Sequence, residues 1–144
     1  MRKFNVIVLL GLALILVLAA CGGGGDSGDS GGDAAAPRTG GDAANGEKLY
    51  KQTTIGSASA PGCTTCHSLE EGVVLVGPSH AGIATAAETA VSGLSAEEYL
   101  KQSIVEPDTE ITDGYTAGVM YTNFGSDLSD QEVSDLVAFL LTQK

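Results

Sequence analysis

The chain is 144 residues long, carries a formal net charge of −11, and holds 20 glycines, no tryptophan and few other aromatics. That length suits one small domain with additional segments. The acidic balance excludes nucleic acid as a partner, because phosphate would be repelled, and it disfavours direct contact with anionic lipid head groups.

Met1 to Ala20 reads as an export segment. Arg2 and Lys3 make a positive start, and Val6 to Ala20 is an apolar run of 15 residues. A membrane-spanning helix needs about 20 apolar residues, so the run is short for one. It ends in Leu18-Ala19-Ala20-Cys21, which resembles the lipobox of bacterial lipoproteins. That resemblance implies a lipidated Cys21 as the mature N-terminus. An uncleaved helical anchor is the alternative, and either places the domain outside the cytoplasm, tied to a membrane. Residues 21–41 then form a tether of Gly, Asp, Ser and Ala with almost no apolar content, expected to be disordered. As a flexible coil its 20 residues after Cys21 would span about 25 Å, and about 70 Å when stretched.

The folded domain is expected over residues 42–144, where 15 acidic residues face 4 basic ones. Asp42 to Gln52 predicts a helix, with Asp42 as N-cap and Ala43, Gly46, Leu49 and Tyr50 at helical spacing. Glycine costs a helix about 1 kcal/mol against alanine, so Gly46 points to close approach of another backbone. Thr53 to Gly62 is a small-residue loop.

Cys63-Thr64-Thr65-Cys66-His67 follows, the C-x-x-C-H pattern of covalent haem attachment. Each thiol adds to one haem vinyl group, and the two intervening residues let the chain bridge the pair. His67 is then held under the iron as an axial ligand. The bound haem would supply the apolar surface that an aromatic-poor chain lacks. Half a zinc site or a thioredoxin-like redox pair would also begin with C-x-x-C. A structural zinc site, however, needs four ligands, and only Cys21 and His80 remain. The redox pair needs a βαβ context that the sequence lacks. Next comes the turn Gly77-Pro78, whose neighbourhood offers carbonyls able to accept a hydrogen bond from the second nitrogen of His67.

Ser95-Ala96-Glu97-Glu98 is a capping box opening a helix that should stop before Pro107. Pro107 to Gly125 reads as irregular, with Gly114, Gly118 and Gly125 as turn residues. Ser129-Asp130-Gln131-Glu132 is a second capping box, ahead of Val133, Leu136, Val137 and Leu140 on one helical face. No strand pattern is long enough to predict a sheet. Met120, 53 residues after His67, is the only methionine besides the initiator. A lone methionine is commonly a core residue, but its place in a glycine-rich loop favours the second axial ligand, a soft thioether that raises the reduction potential. His80, 13 residues beyond His67, reads as a surface or supporting histidine rather than a ligand.

Together these residues resemble the class I c-type cytochromes over roughly Asp42 to Lys144. Gly46 with Tyr50 matches that family's first helix, and Cys63, Cys66 and His67 its haem motif. Gly77-Pro78 matches its proximal turn, Met120 its distal ligand, and Leu136 with Phe139 its last helix. Ser103 to Phe124 looks most similar to cytochrome domains of haem–copper oxidase subunit II, and to small cytochromes of quinol-oxidising complexes, including alternative complex III. Many such domains carry a proline after the distal methionine, where this chain has Tyr121, and the loop Thr53 to Gly62 is longer than usual.

The resemblance implies an all-α fold of three to five helices around one covalent haem c. Pro78 would support the proximal ligand. It also implies a non-enzymatic electron carrier on the extracytoplasmic (periplasmic) face of the cell membrane. Its expected partners are membrane-bound redox complexes with a basic docking face, with no small-molecule substrate. A haem peroxidase or gas sensor with a labile distal ligand is the alternative, and a lipoprotein without haem a third.

Overall fold

The computed structural model describes residues 40–144. The expected export segment, the expected lipidation site Cys21 and the expected tether as far as residue 39 lie outside the described residues. The architecture is all-α as expected, with five helices and one minimal strand pair among the described residues.

Helix α1 (Ala43–Tyr50) starts where the sequence places its cap. The Asp42 carboxylate accepts from the backbone N–H groups of Ala44 and Asn45, two of the donors every helix N-terminus leaves unpaired. The helix ends two residues earlier than expected. Helix α5 (Asp130–Leu140) carries the C-terminal capping box in full: Ser129 accepts from Glu132 N–H while the Glu132 carboxylate reaches back to the Ser129 N–H. The two helices pack on each other. A Cβ on Gly46 would lie 1.9 Å from the Asp135 carbonyl oxygen, so backbone meets backbone at that crossing. The buried Asp135 carboxylate fastens the joint, accepting from Asp42 N–H at 2.7 Å and from Gln131 Nε2 at 2.8 Å. Tyr50 and Phe139 fill the crossing with ring centroids 5.2 Å apart.

Three features depart from the sequence reading. The loop Thr53 to Gly62 holds a two-residue antiparallel pair, β1 (Thr54–Ile55) with β2 (Ala60–Pro61), in register Thr54 to Pro61 and Ile55 to Ala60. Ile55 and Ala60 point inward and are buried, and one alternation is too short to register as a strand signal. Helix α2 (Ile83–Ala90) was not expected: it begins after Gly82, with no side-chain cap, and buries only Ala84 and Ala87. The expected irregular stretch ends early, because α4 (Phe124–Asp127) takes Gly125 into a single helical turn and buries Phe124. Helix α3 (Ala96–Val105) has its capping box at Ser95 and Glu98 and stops before Pro107 as expected. It packs against α2, α4 and α5, closing a layer of helices around one cleft.

Candidate functional site

The cleft has a volume of about 670 Å³, within the range of small-molecule and cofactor sites. Cys63, Cys66, His67, Pro78 and Met120 all line it, although Met120 lies 53 residues from the motif in the sequence. Ile55 of β1, Leu100 and Ile104 of α3, Phe124 of α4, and Leu136 and Leu140 of α5 supply apolar walls.

One tight 3₁₀ turn, Cys63–Thr65, begins the motif, and His67 N–H closes back onto the Cys63 carbonyl at 2.9 Å. The minimal strand pair feeds this turn, since Gly62 N–H bonds the Thr53 carbonyl at 2.8 Å. Downstream, Gly77 N–H bonds the Cys66 carbonyl at 2.9 Å, which folds the Gly77-Pro78 turn over the histidine. His67 Nδ1 then lies 2.8 Å from the Pro78 carbonyl oxygen. A carbonyl only accepts, so Nδ1 carries the proton and Nε2 keeps a bare lone pair. Burial holds the His67 imidazole below its usual pKa, against a smaller opposite push from that hydrogen bond. Both the tautomer and the neutral charge are what a metal requires of an imidazole ligand. A Cβ on Gly77 would come within 2.4 Å of His67 Cε1, so only glycine lets the turn close this tightly.

Cys63 and Cys66 are free thiols. Burial, with a contribution from neighbouring Cys66, pushes the Cys63 thiol up to about 11 despite an opposing backbone hydrogen bond. The direction is opposite to that of the attacking thiol in a redox dithiol. Among the described residues no group of three or more His, Cys, Asp or Glu side chains is placed to hold a metal ion. The residues present do fit a haem. They offer two unpaired thiols at the mouth of an apolar cleft, an imidazole with an unprotonated nitrogen, and a thioether on the same cleft.

His80 is not a surface residue. Its ring lies flat on that of His67, with centroids 4.0 Å apart and planes 16° from parallel. Its Nδ1 is 3.1 Å from the Tyr50 hydroxyl, which also donates to the His67 carbonyl at 3.5 Å. Burial, and secondarily the neighbouring His67, push its pKa down to about 3, so it is neutral. The sequence reading placed Tyr50 on the first helix but missed this role of its hydroxyl. No local signal links residues 17 and 30 positions apart. Tyr121 donates to the Asp127 carboxylate and sets its ring against Phe124 at 5.0 Å.

Residues 43–144 match the family model described as Cytochrome c. Among curated proteins, no match to the chain is found.

Proposed function

The chain belongs to the cytochrome c family, as a class I c-type member with covalent haem c and the part of an electron carrier, and from that premise we propose a membrane-tethered shuttle or fixed subunit. It would pass single electrons on the extracytoplasmic face, from a quinol-oxidising complex to an oxidase or reaction centre. In this reading Cys63 and Cys66 hold the haem through thioethers, and His67 and Met120 are its two axial ligands. Cys21 carries the lipid. The haem supplies reversible one-electron chemistry. The chain's own residues do the rest. Pro78 fixes the His67 tautomer through its carbonyl. Ile55, Leu100, Ile104 and Leu136 keep water out of the cleft. Thr64 and Thr65, exposed beside the cysteines, leave that edge open to a partner.

The observation that carries this reading is the convergence of His67, Met120 and both thiols on one apolar cleft. His67 and Met120 on one cleft would together hold the iron of a bound haem and leave no open site for substrate, which favours a carrier over a peroxidase or gas sensor. The net charge of −11 favours partners with a basic face. The exposed apolar run Val73 to Val76, which reaches the cleft at Val76, favours docking that also buries apolar area.

The test is a visible spectrum of protein matured with haem. Low-spin bands, retention of pigment in acidified acetone, and a weak band near 695 nm in the oxidised form (the family's sign of methionine ligation) are expected. High-spin bands would instead indicate an open site and the peroxidase or sensor. Fractionation of wild type and Cys21→Ser tests the tether: release of the variant from membranes supports lipidation, and continued attachment favours a retained helix or tight assembly.

A further inference from the structure

We propose that His80 is a positioning residue for His67: a second imidazole, tethered to the Tyr50 hydroxyl, that fixes the plane of the first. This rests on the reading of His67 as an axial ligand.

The bond from His67 Nδ1 to the Pro78 carbonyl holds the ring along one direction only. A planar ring held at one atom can still swing about that direction, and something must press on a face to stop it. Gly77 crowds the Cε1 edge at a separation that leaves no room for a Cβ. His80 supplies the face, near-parallel and in stacking contact.

His80 is itself held at two points. Its backbone N–H donates to the Ser68 carbonyl at 2.7 Å, and its Nδ1 meets the Tyr50 hydroxyl at 3.1 Å. Tyr50 is wholly buried and wedged against Phe139 at the crossing of α1 and α5. The plane of His67 is therefore referenced through His80 and Tyr50 to the buried crossing of α1 and α5. An aliphatic side chain at residue 80 would fill the same space but give neither a flat face nor a polar tether. The plane of an axial imidazole sets how unpaired spin spreads over the haem, and a defined plane narrows the range of environments the iron samples. The chain thus gains a uniform reduction potential from a residue that touches neither iron nor substrate.

The experiment uses the haem-loaded protein and compares wild type with His80→Leu, His80→Phe, His80→Gln and Tyr50→Phe. The readouts are the paramagnetic shift pattern of the haem methyl groups, the electron paramagnetic resonance linewidth, the reduction potential and the melting temperature. His80→Leu should redistribute the methyl shifts, broaden the resonance and move the potential. His80→Phe restores the face but not the tether, so it should bring the shift pattern only part of the way back, and His80→Gln should not. Tyr50→Phe should move the shifts the same way as His80→Leu, by less. If His80→Leu lowers only the melting temperature, with shifts and potential as in wild type, residue 80 is mere packing and the proposal is overturned. If that variant fails to mature, Tyr50→Phe decides: an unchanged shift pattern overturns the proposal as well. Failure of the underlying ligand assignment is separately visible, because wild type would then lack a low-spin spectrum.

Discussion

The two halves of the cleft are built differently. The half around His67 is a short, cross-braced segment. Between Gly62 and His80 the backbone is pinned at Gly62 to Thr53, Gly77 to Cys66 and His80 to Ser68, with distances of 2.7–2.9 Å, and the ligand ring is braced by Pro78 and His80. The half around Met120 is a loop of local turns, such as Thr109 to Glu106 and Tyr115 to Thr112. Two longer-reaching bonds hold it: Gly118 N–H to Asp108 Oδ1 at 2.7 Å, and the Tyr121 hydroxyl to Asp127. Most of residues 108–119 are exposed. A wall with many backbone bonds opens only by breaking several at once, whereas a loop with two clasps opens locally at small cost. Exchange of an axial ligand should therefore begin at Met120 and not at His67.

Removing the methionine tests this most strongly. Met120→Ala leaves no thioether on the cleft, so the iron should become accessible to carbon monoxide. The potential should fall on the order of one to a few hundred millivolts, within the ~0.8 V span that axial ligands command. Titration against redox mediators, with and without carbon monoxide, reads both. A wild-type potential in the variant would remove Met120 from the ligand set.

Gly77→Ala attacks the braced wall instead. Its Cβ would meet the His67 ring at 2.4–3.1 Å, with the ring unable to retreat from His80. Overpacking against an immobile group costs about 3 kcal/mol. The expected result is a sharp loss of haem-loaded, low-spin protein, seen as a fall in the ratio of Soret to protein absorbance. Full yield and an unchanged melting temperature would mean that the wall yields more readily than its hydrogen bonds imply.

The contrast also explains what the sequence revealed. The His67 half is written locally: the C-x-x-C-H spacing, Gly77-Pro78 and the capping residues Asp42, Ser95 and Ser129 each act within a few positions. Gly46 was legible because a glycine inside a helix needs a reason, and the carbonyl of Asp135 provides it. The contacts that reach across the fold were not legible. His80 on His67 and Tyr50 on His80 depend on how α1 lies over the turn, which no spacing encodes. Helix α2 was hidden because Gly82 offers no cap and only two alanines are fully buried, although alanine favours helix more than any other residue. The strand pair was hidden because two residues per strand carry no period.

Smaller changes on the Met120 side sharpen the comparison further. Asp108→Ala removes the carboxylate that receives Gly118 N–H. That bond is exposed and the freed N–H can turn to water, so the stability cost should be about 1 kcal/mol. Its mark should be local: faster hydrogen exchange in residues 114–120, with residues 63–67 unaffected. Equal acceleration on both walls would show that the cleft opens as one unit.

Tyr121→Phe is the mildest change. The ring stays against Phe124 and only the hydroxyl bond to Asp127 is lost, leaving that carboxylate free to take water instead. Loss of this one exposed bond should raise the population of the opened loop only modestly, roughly two- to fivefold. The sensitive readout is the rate at which added imidazole replaces Met120, because replacement draws on that opened population. It should rise by the same factor while the potential and the melting temperature stay near wild type. The hydroxyl then serves as a latch by a bond to the far side of the loop, where a proline would instead stiffen the backbone by fixing φ. Replacing Tyr121 with Pro separates the two devices: if ring stiffness alone suffices, Tyr121→Pro should slow imidazole replacement below that of Tyr121→Phe, and if the far-side bond is what matters it should not.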